Sequence, residues 1–274
     1  MKTCFICQGE NWKSLGVNQG RQILQCIKCG LGSTKGEFVG LYKQYHRDSA
    51  YQQFEDRFIN IFNKRYNFVA KYKKGGSVLD VGSSTGTFLK IFQEHGWRTK
   101  GVESSEKACQ LARSAGLDVI NQEFEQIDFD QDFDVVCASH ILEHVADPGI
   151  FLAKVKQILK IDGLLLLDLP NFSSLSARLL GSRWYYILPN EHRWHFTKKS
   201  LSILLDQTGF EILEARTASG IFDYDSPWME IWQAARTFKK RLLGDVITIM
   251  PSWIVTMLNL GTSLTIIARK KAKR

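Results

Sequence analysis

Four cysteines near the start of the chain carry the most specific chemical signal. Cys4-x2-Cys7 is followed, after eighteen residues, by Cys26-x2-Cys29. Two thiolates three residues apart in a tight turn occupy two corners of a tetrahedron, and a second such turn closes it around zinc. Gly30, directly after Cys29, allows the positive φ such a turn often needs. Four thiolates leave no open position, so this zinc is expected to be structural. Cys109 and Cys137 fall in a predicted helix and a predicted core strand and read as packing residues.

Histidines form the second set. Four of the six lie in two clusters, His140-x2-Glu143-His144 and Glu191-His192-Arg193-Trp194-His195-Phe196-Thr197. Neutral imidazole is the side chain suited to taking a proton near pH 7, so His140, His144, His192 and His195 are the candidate bases. On a helical turn, His140, Glu143 and His144 share one face and suit a divalent cation. A single histidine working as a base without metal fits the same residues, as does a Glu-His pair that only braces the turn. Thr197 reads as a helix N-cap. His192 and His195 either face an acceptor pocket or sit in a loop held by its own polar contacts.

The elements that must position these groups alternate strand and helix from residue 75, the pattern of a parallel sheet covered on both faces. Strands are predicted at Ser77–Val81, Thr99–Val102, Val119–Ile120, Phe133–Ala138, Leu164–Leu169, Phe210–Ala215 and Leu264–Ala268. The first runs into Asp80-Val81-Gly82-Ser83-Ser84-Thr85-Gly86, a turn that brings a ligand against backbone at a helix N-terminus. The G-x-G-x-x-G order of pyrophosphate binders is absent, because Ser84 and Thr85 separate Ser83 from Gly86. Glu103 ends the second strand, seventeen residues past Gly86, where a carboxylate takes both ribose hydroxyls of a nucleotide-type cofactor. A solvated helix cap is the plainer alternative.

In order along the chain, VLDVGSSTGTFL, Glu103, DFDVVCASHILEHVADP and GLLLLDLPN resemble the motifs of class I S-adenosylmethionine-dependent methyltransferases. The likeness is greatest to the small-molecule group that includes ubiquinone-biosynthesis O-methyltransferases, and it covers about residues 75–216 plus the last strand. It implies an α/β fold with a doubly wound, seven-stranded Rossmann-like sheet of order 3-2-1-4-5-7-6, strand seven antiparallel. It implies Asp80, Gly82, Ser83 and Gly86 around the methionine moiety, Glu103 at the ribose, and Glu123 with Phe124 near the adenine. Ser84 stands where the family usually has a glycine. The His140/Glu143/His144 positions resemble that group's metal-binding acidic/His set, with His140 in place of a carboxylate. A zinc module joined to such a domain also resembles deoxysugar C-methyltransferases, which are longer.

Three segments are expected: a zinc-ribbon-like module over 1–37, a connecting helix within 38–74, and the catalytic domain over 75–274. Phe54, Phe58, Ile61, Phe62, Tyr66 and Val69 carry the helical spacing of the connector. Residues 226–274 hold nine Lys/Arg against Glu230 and Asp245, a local charge of +7 within a chain of +8. Trp228, Ile231, Trp232, Ala235, Phe238 and Leu242 at helical spacing among these cations suit a lid or an interfacial helix in an insert over 222–260, with membrane contact through 227–260. The twenty-three uncharged residues after Asp245 are long enough to span a bilayer, but Pro251, Asn259, Gly261 and the strand-like SLTIIARK disfavour a span. The opening MKTCFICQGENW has no apolar signal region, so a cytoplasmic location, peripheral to the membrane at most, is expected.

The function expected is methyl transfer to a small or lipid-like acceptor, by O- or C-methylation of a quinone precursor, polyketide or sugar. RNA methylation using the module and basic tail is the enzymatic alternative. It lacks the Asp/Asn-Pro-Pro-Phe/Tyr signature, since Ala138-Ser139-His140 stands there, and nucleic acid is not expected as a partner. A binding protein without catalysis is the third reading, disfavoured by intact Gly82, Gly86 and Glu103.

Overall fold

A computed structural model of the chain describes residues 3–38, 55–219 and 252–272. Two sheets organise it. The smaller is a four-stranded antiparallel sheet of β1 (Trp12–Asn18), β2 (Arg21–Cys26), β3 (Gly32–Thr34) and β9 (Trp194–His195), in that order. Gln19 and Gly20, both at positive φ, make the two-residue turn that joins β1 to β2. The fourth strand comes from a distant part of the chain, so the cysteine segment is completed by the histidine loop.

The larger sheet contains β4 (Ser77–Val81), β5 (Arg98–Glu103), β6 (Val119–Asn121), β7 (Phe133–Ser139), β8 (Leu159–Pro170), β10 (Phe210–Ala218) and β11 (Ser263–Lys270). Its order is β6-β5-β4-β7-β8-β11-β10, and β11 pairs antiparallel with both neighbours. Renumbered within the domain, this is the expected 3-2-1-4-5-7-6 arrangement. All five residues of β4 and the run Gly163–Pro170 of β8 are buried, as strands covered on both faces require. Helices α1 (Glu55–Ala70), α2 (Thr87–Glu94), α3 (Glu106–Ser114), α4 (Pro148–Ile158), α5 (Leu175–Leu180) and α6 (Lys198–Gln207) supply the cover.

α1 falls within residues 38–74, the stretch whose spacing predicted a helix. It lies on α2, where Phe62 stacks on Phe88 with ring centroids 4.9 Å apart, and Phe54 lies outside the described residues. Cys109 and Cys137 are buried packing residues, as expected. Most of the 222–260 insert also lies outside the described residues, apart from a short helix at 252–257. From Ser263 onward the chain is strand β11, so the uncharged stretch ends inside the sheet. No described helix is long and apolar enough to cross a membrane.

One packed cluster joins Cys4, Ile6, Cys26, Cys29 and Leu31 to Trp194, Phe196, Leu201 and the sheet residues Leu165 and Leu167. The cysteine segment therefore shares its apolar contacts with the large domain, a common solution for a segment too short to build its own core.

Candidate active site

Two cavities meet at Gly82, beyond the C-terminal ends of β4 and β7, where open α/β sheets bind ligands. The smaller, about 120 Å³, is walled by Asp80, the turn Gly82–Thr85, Ser139, His140 and Asp168, with Phe58, Ile61 and Phe62 of α1 across from them. The larger, about 530 Å³, is lined by Val102, Ser104, Glu123, Phe124, Ile141, His144, Ile150 and Arg193, among others.

The glycine-rich turn sits between them. Gly82 has φ 75°, and a Cβ there would lie 2.2 Å from Ile141 Cδ1. Side chains are excluded on both counts. The amides of Gly82 and Ser83 donate to Val102 O at 2.8 and 3.0 Å, tying the turn to β5. Ser84 adopts φ 51°, the left-handed conformation a glycine would take without cost. Its amide donates to Glu103 Oε2 at 2.9 Å, and the Ser105 amide donates to Glu103 Oε1 at 2.7 Å. Glu103 is only 8% exposed, so it is no solvated cap. It is a buried carboxylate held in place by two backbone donors, with lone pairs left for further hydroxyl donors. Burial, reinforced by the charge of Glu103, raises the Asp80 carboxyl to about 8. Of the other sequence-expected residues, Glu123 and Phe124 line the larger cavity and Ser83 the smaller; Gly86, at φ 85°, precedes α2.

The histidines separate. Residues 142–144 form a turn rather than a helix, and His140 has φ 55°. The expected helical face of His140, Glu143 and His144 is therefore not formed. His140 borders the smaller cavity and places Nδ1 3.1 Å from Glu143 Oε1. His144 borders the larger cavity, with Nδ1 2.9 Å from Glu191 O. His192 lines neither cavity; its Nδ1 is 2.8 Å from Tyr186 O and its ring meets that of His144 edge-on at 4.6 Å. A carbonyl only accepts, so both Nδ1 atoms are assigned the proton and both Nε2 atoms are lone-pair donors. Burial lowers both histidines, His192 further because His144 and His195 are also near it. Glu143 Oε2 and His192 Nε2 are buried with no partner among the described residues. Ligand atoms of Glu143, His144 and His192 all lie within 4.8 Å of one another. The described metal-capable trio is thus this one, with His192 replacing His140. His195 lines neither cavity. Its Nε2 is 2.8 Å from Thr34 Oγ1, and burial, then His144, depresses it to about 3.

The four N-terminal sulfurs converge. Cys4 and Cys29 Sγ are 3.7 Å apart and Cys7 and Cys26 Sγ are 3.5 Å apart, with all four within 4.8 Å. A tetrahedral zinc with bonds of about 2.3 Å places its sulfurs about 3.8 Å apart, so the set fits that ion. Burial pushes the Cys4 and Cys29 thiols up, so ionising all four calls for a compensating cation.

Asp168 and Arg65 carried no role in the sequence reading, yet they form a buried ion pair whose carboxylate lies on the smaller cavity's wall. Arg65 Nε donates to Asp168 Oδ2 at 2.8 Å, while Ser263 and Thr265 hydroxyls donate to Oδ1 at 3.2 and 2.9 Å. A single acid inside the apolar run Leu164–Leu169 was the available signal.

Comparison with known proteins agrees with this geometry. The methyltransferase-domain family Methyltransf_23 matches residues 51–215. The chain is similar to the ubiquinone biosynthesis O-methyltransferase of Bradyrhizobium sp. (strain ORS 278), 27% identical over 176 residues, 58% of this chain and 66% of that one. It is also similar to the C-methyltransferase NovU of Streptomyces niveus, 26% identical over 150 residues, 53% of this chain and 35% of that one. The matches thus span less than two thirds of these relatives' length. Among solved structures, a Haloferax volcanii putative methyltransferase in complex with the Trm112 methyltransferase activator aligns with TM-score 0.62 at 16% identity, covering 86% of this chain and 100% of that one.

Proposed function

The chain belongs to the methyltransferase-domain family matched over residues 51–215, and from that premise we propose that it transfers the methyl group of S-adenosylmethionine to a small-molecule acceptor, by O- or C-methylation. The observation that carries this reading is the buried Glu103 carboxylate, fixed by the Ser84 and Ser105 amides, with its neighbours Val102 and Ser104 on the wall of the larger cavity and Ser84 on that of the smaller. S-adenosylmethionine supplies a methyl group on a sulfonium, which a nucleophile displaces in line. Asp80 and the Gly82–Thr85 turn line the compartment for its methionine portion, and Glu103 takes the ribose hydroxyls. Glu123 and Phe124 take the adenine. The protein's task is alignment, plus removal of one proton from a hydroxyl or acidic-carbon acceptor. His144 is the assigned base: it is neutral at pH 7, its Nε2 carries no hydrogen, and it borders the larger cavity. His144 Nε2 would take the acceptor's proton, and the donor, having given up its methyl group, would leave as a neutral thioether. The four cysteines would hold a structural zinc ion. Ubiquinone biosynthesis O-methyltransferase and the C-methyltransferase NovU, as relatives, direct an acceptor screen toward quinone precursors for O-methylation and acidic-carbon acceptors for C-methylation.

Calorimetric titration tests the cofactor assignment. Glu103→Ala removes two charge-assisted hydrogen bonds of roughly 1.5 kcal/mol each and is expected to weaken S-adenosylmethionine about 100-fold. Unchanged affinity in the variant, or binding of NAD in its place, counts against the reading. A second expectation concerns pH. Asp80, raised to about 8 by burial and the Glu103 charge, must ionise to meet the ligand's positive charge. Affinity should therefore rise about fivefold between pH 7 and 8, the gain in ionised fraction for that pKa. A flat profile, or one that falls, removes Asp80 from the site.

A further inference from the structure

We infer that the zinc-binding segment is a positioning clamp for the acceptor wall of the site: it holds residues 191–197 against the turn that carries His140 and His144. The acceptor role of that loop rests on the function proposed above; the clamp itself rests on contacts.

On one side, the loop is bonded to the cysteine segment. Gly32 and Ser33 pair with His195 and Trp194 as neighbouring strands, and the Thr34 amide donates to Arg193 O at 3.1 Å. Thr34 Oγ1 lies 2.8 Å from His195 Nε2. Thr197 Oγ1, the cap of α6, donates to Cys29 O at 3.2 Å, so the second cysteine turn holds the end of the loop directly. Phe5, between Cys4 and Cys7, packs edge-on against Trp194 at 4.7 Å.

On its other side, the same loop is bonded to the active-site turn. The amides of Arg193 and Trp194 both donate to Glu143 O, at 2.9 and 3.0 Å, and Trp194 Nε1 donates to Val145 O at 3.1 Å. Glu191 O holds His144 Nδ1 at 2.9 Å. Phe38, at the end of the segment, lies between the Arg21 and Arg193 guanidinium groups, each 4.9 Å from its ring centre, on the wall of the larger cavity. Hydrogen bonds thus tie residues 191–197 at Thr197 to Cys29 and, at Glu191, Arg193 and Trp194, to His144, Glu143 and Val145, with the loop's own backbone joining the two sides. The cofactor turn stands apart: among the described residues, no hydrogen bond joins residues 3–38 to the turn 82–86, which is tied to β5 instead. The segment consequently sets the wall of the larger cavity at Phe38 and the 191–197 loop and leaves the glycine-rich turn to the sheet.

Gly32→Ala separates docking from metal binding. Its Cβ would lie 2.6 Å from Phe172 Cε1 and 2.8 Å from His195 Cβ, wedging the joint while leaving all four cysteines intact. Thr34→Val is the milder companion, removing only the hydroxyl beside His195, and Thr34→Ser restores it. The readouts are zinc per chain, amide hydrogen exchange and S-adenosylmethionine affinity. Both disruptive variants are expected to keep wild-type zinc, to speed exchange at 191–197 by about tenfold or more, and to bind the methyl donor within about threefold of wild type. Thr34→Ser is expected to restore slow exchange. Unchanged exchange at 191–197 in both variants overturns the clamp. An equal rise across 77–105, with loss of donor affinity, overturns it too, since the segment would then be part of the general fold. Wild-type protein purified without zinc overturns the reading of the four cysteines alone, and the exchange result still decides the clamp.

Discussion

Replacing Arg65 by alanine is expected to lower the unfolding free energy by about 3–5 kcal/mol at pH 7, the usual cost of leaving one member of a buried ion pair uncompensated. The pair joins α1 to the end of β8: Arg65 Nε donates to Asp168 Oδ2 at 2.8 Å, and both side chains are under 10% exposed. Burial alone would raise the Asp168 carboxyl, but the Arg65 guanidinium, aided by His140, brings it below its ordinary value. The wild-type carboxylate therefore adds stability above its unfolded pKa, near 3.9, and loses it as pH falls through the lower folded value. Without Arg65 the sign reverses. Burial then raises Asp168, so the variant should regain part of its deficit as pH is lowered toward 5 and the group protonates. Arg65→Met with Asp168→Asn should recover most of the loss, because no charge is left buried. Urea unfolding at pH 7 and 5 measures all three. A loss under about 1 kcal/mol, equal at both pH values, would show that the pair is not what holds α1 down. Phe58, Ile61 and Phe62 of α1 wall the smaller cavity, so weaker cofactor binding should accompany the stability loss.

Cys26→Ser is expected to empty the cysteine site, leaving less than about a tenth of the wild-type zinc per chain. Cys26 is buried, with its sulfur 3.5 Å from that of Cys7. Structural zinc in thiolate sites has an apparent binding free energy of about 10 kcal/mol or more, and in a segment this short that energy is folding energy. Its full amount should not appear as lost stability. Ile6 and Leu31 also pack with Phe196 and Leu201 of the large domain, and those contacts give the metal-free segment a second support. A fall in melting temperature of at least about 10 °C is expected, at roughly 2–4 °C per kcal/mol for a domain of this size. Equal melting of variant and wild type, each carrying equal zinc, would remove the metal from the account.

Much of this protein could be read from local pattern. Strand–helix alternation from residue 75 fixed the sheet, because strands buried on both faces must be nearly all apolar, and β8 reads GLLLLDLP. The C-x2-C pairs, the glycine-rich turn and Glu103 at a strand end were legible for a related reason. In each, the residue's placement depends on backbone geometry within one turn or at one strand terminus. The His140–His144 reading went astray where local geometry left that rule: positive φ at His140 and a turn over 142–144 broke the assumed helix, so equal spacing no longer meant a shared face.

What the tertiary structure decided were partnerships between residues far apart in sequence. His192 meets Glu143 and His144 only because Arg193 and Trp194 bond to Glu143 O. His195 is tied to Thr34, 161 residues away, and is thereby turned from candidate base to structural link. Arg65 finds Asp168 across 103 residues because α1 lies against β11, which pairs with β8 at Asp168. Periodicity and spacing record what a residue does within its own turn or strand. Which groups then meet depends on how the sheets and helices pack and which loops they bring together, a long-range packing outcome that no local window contains.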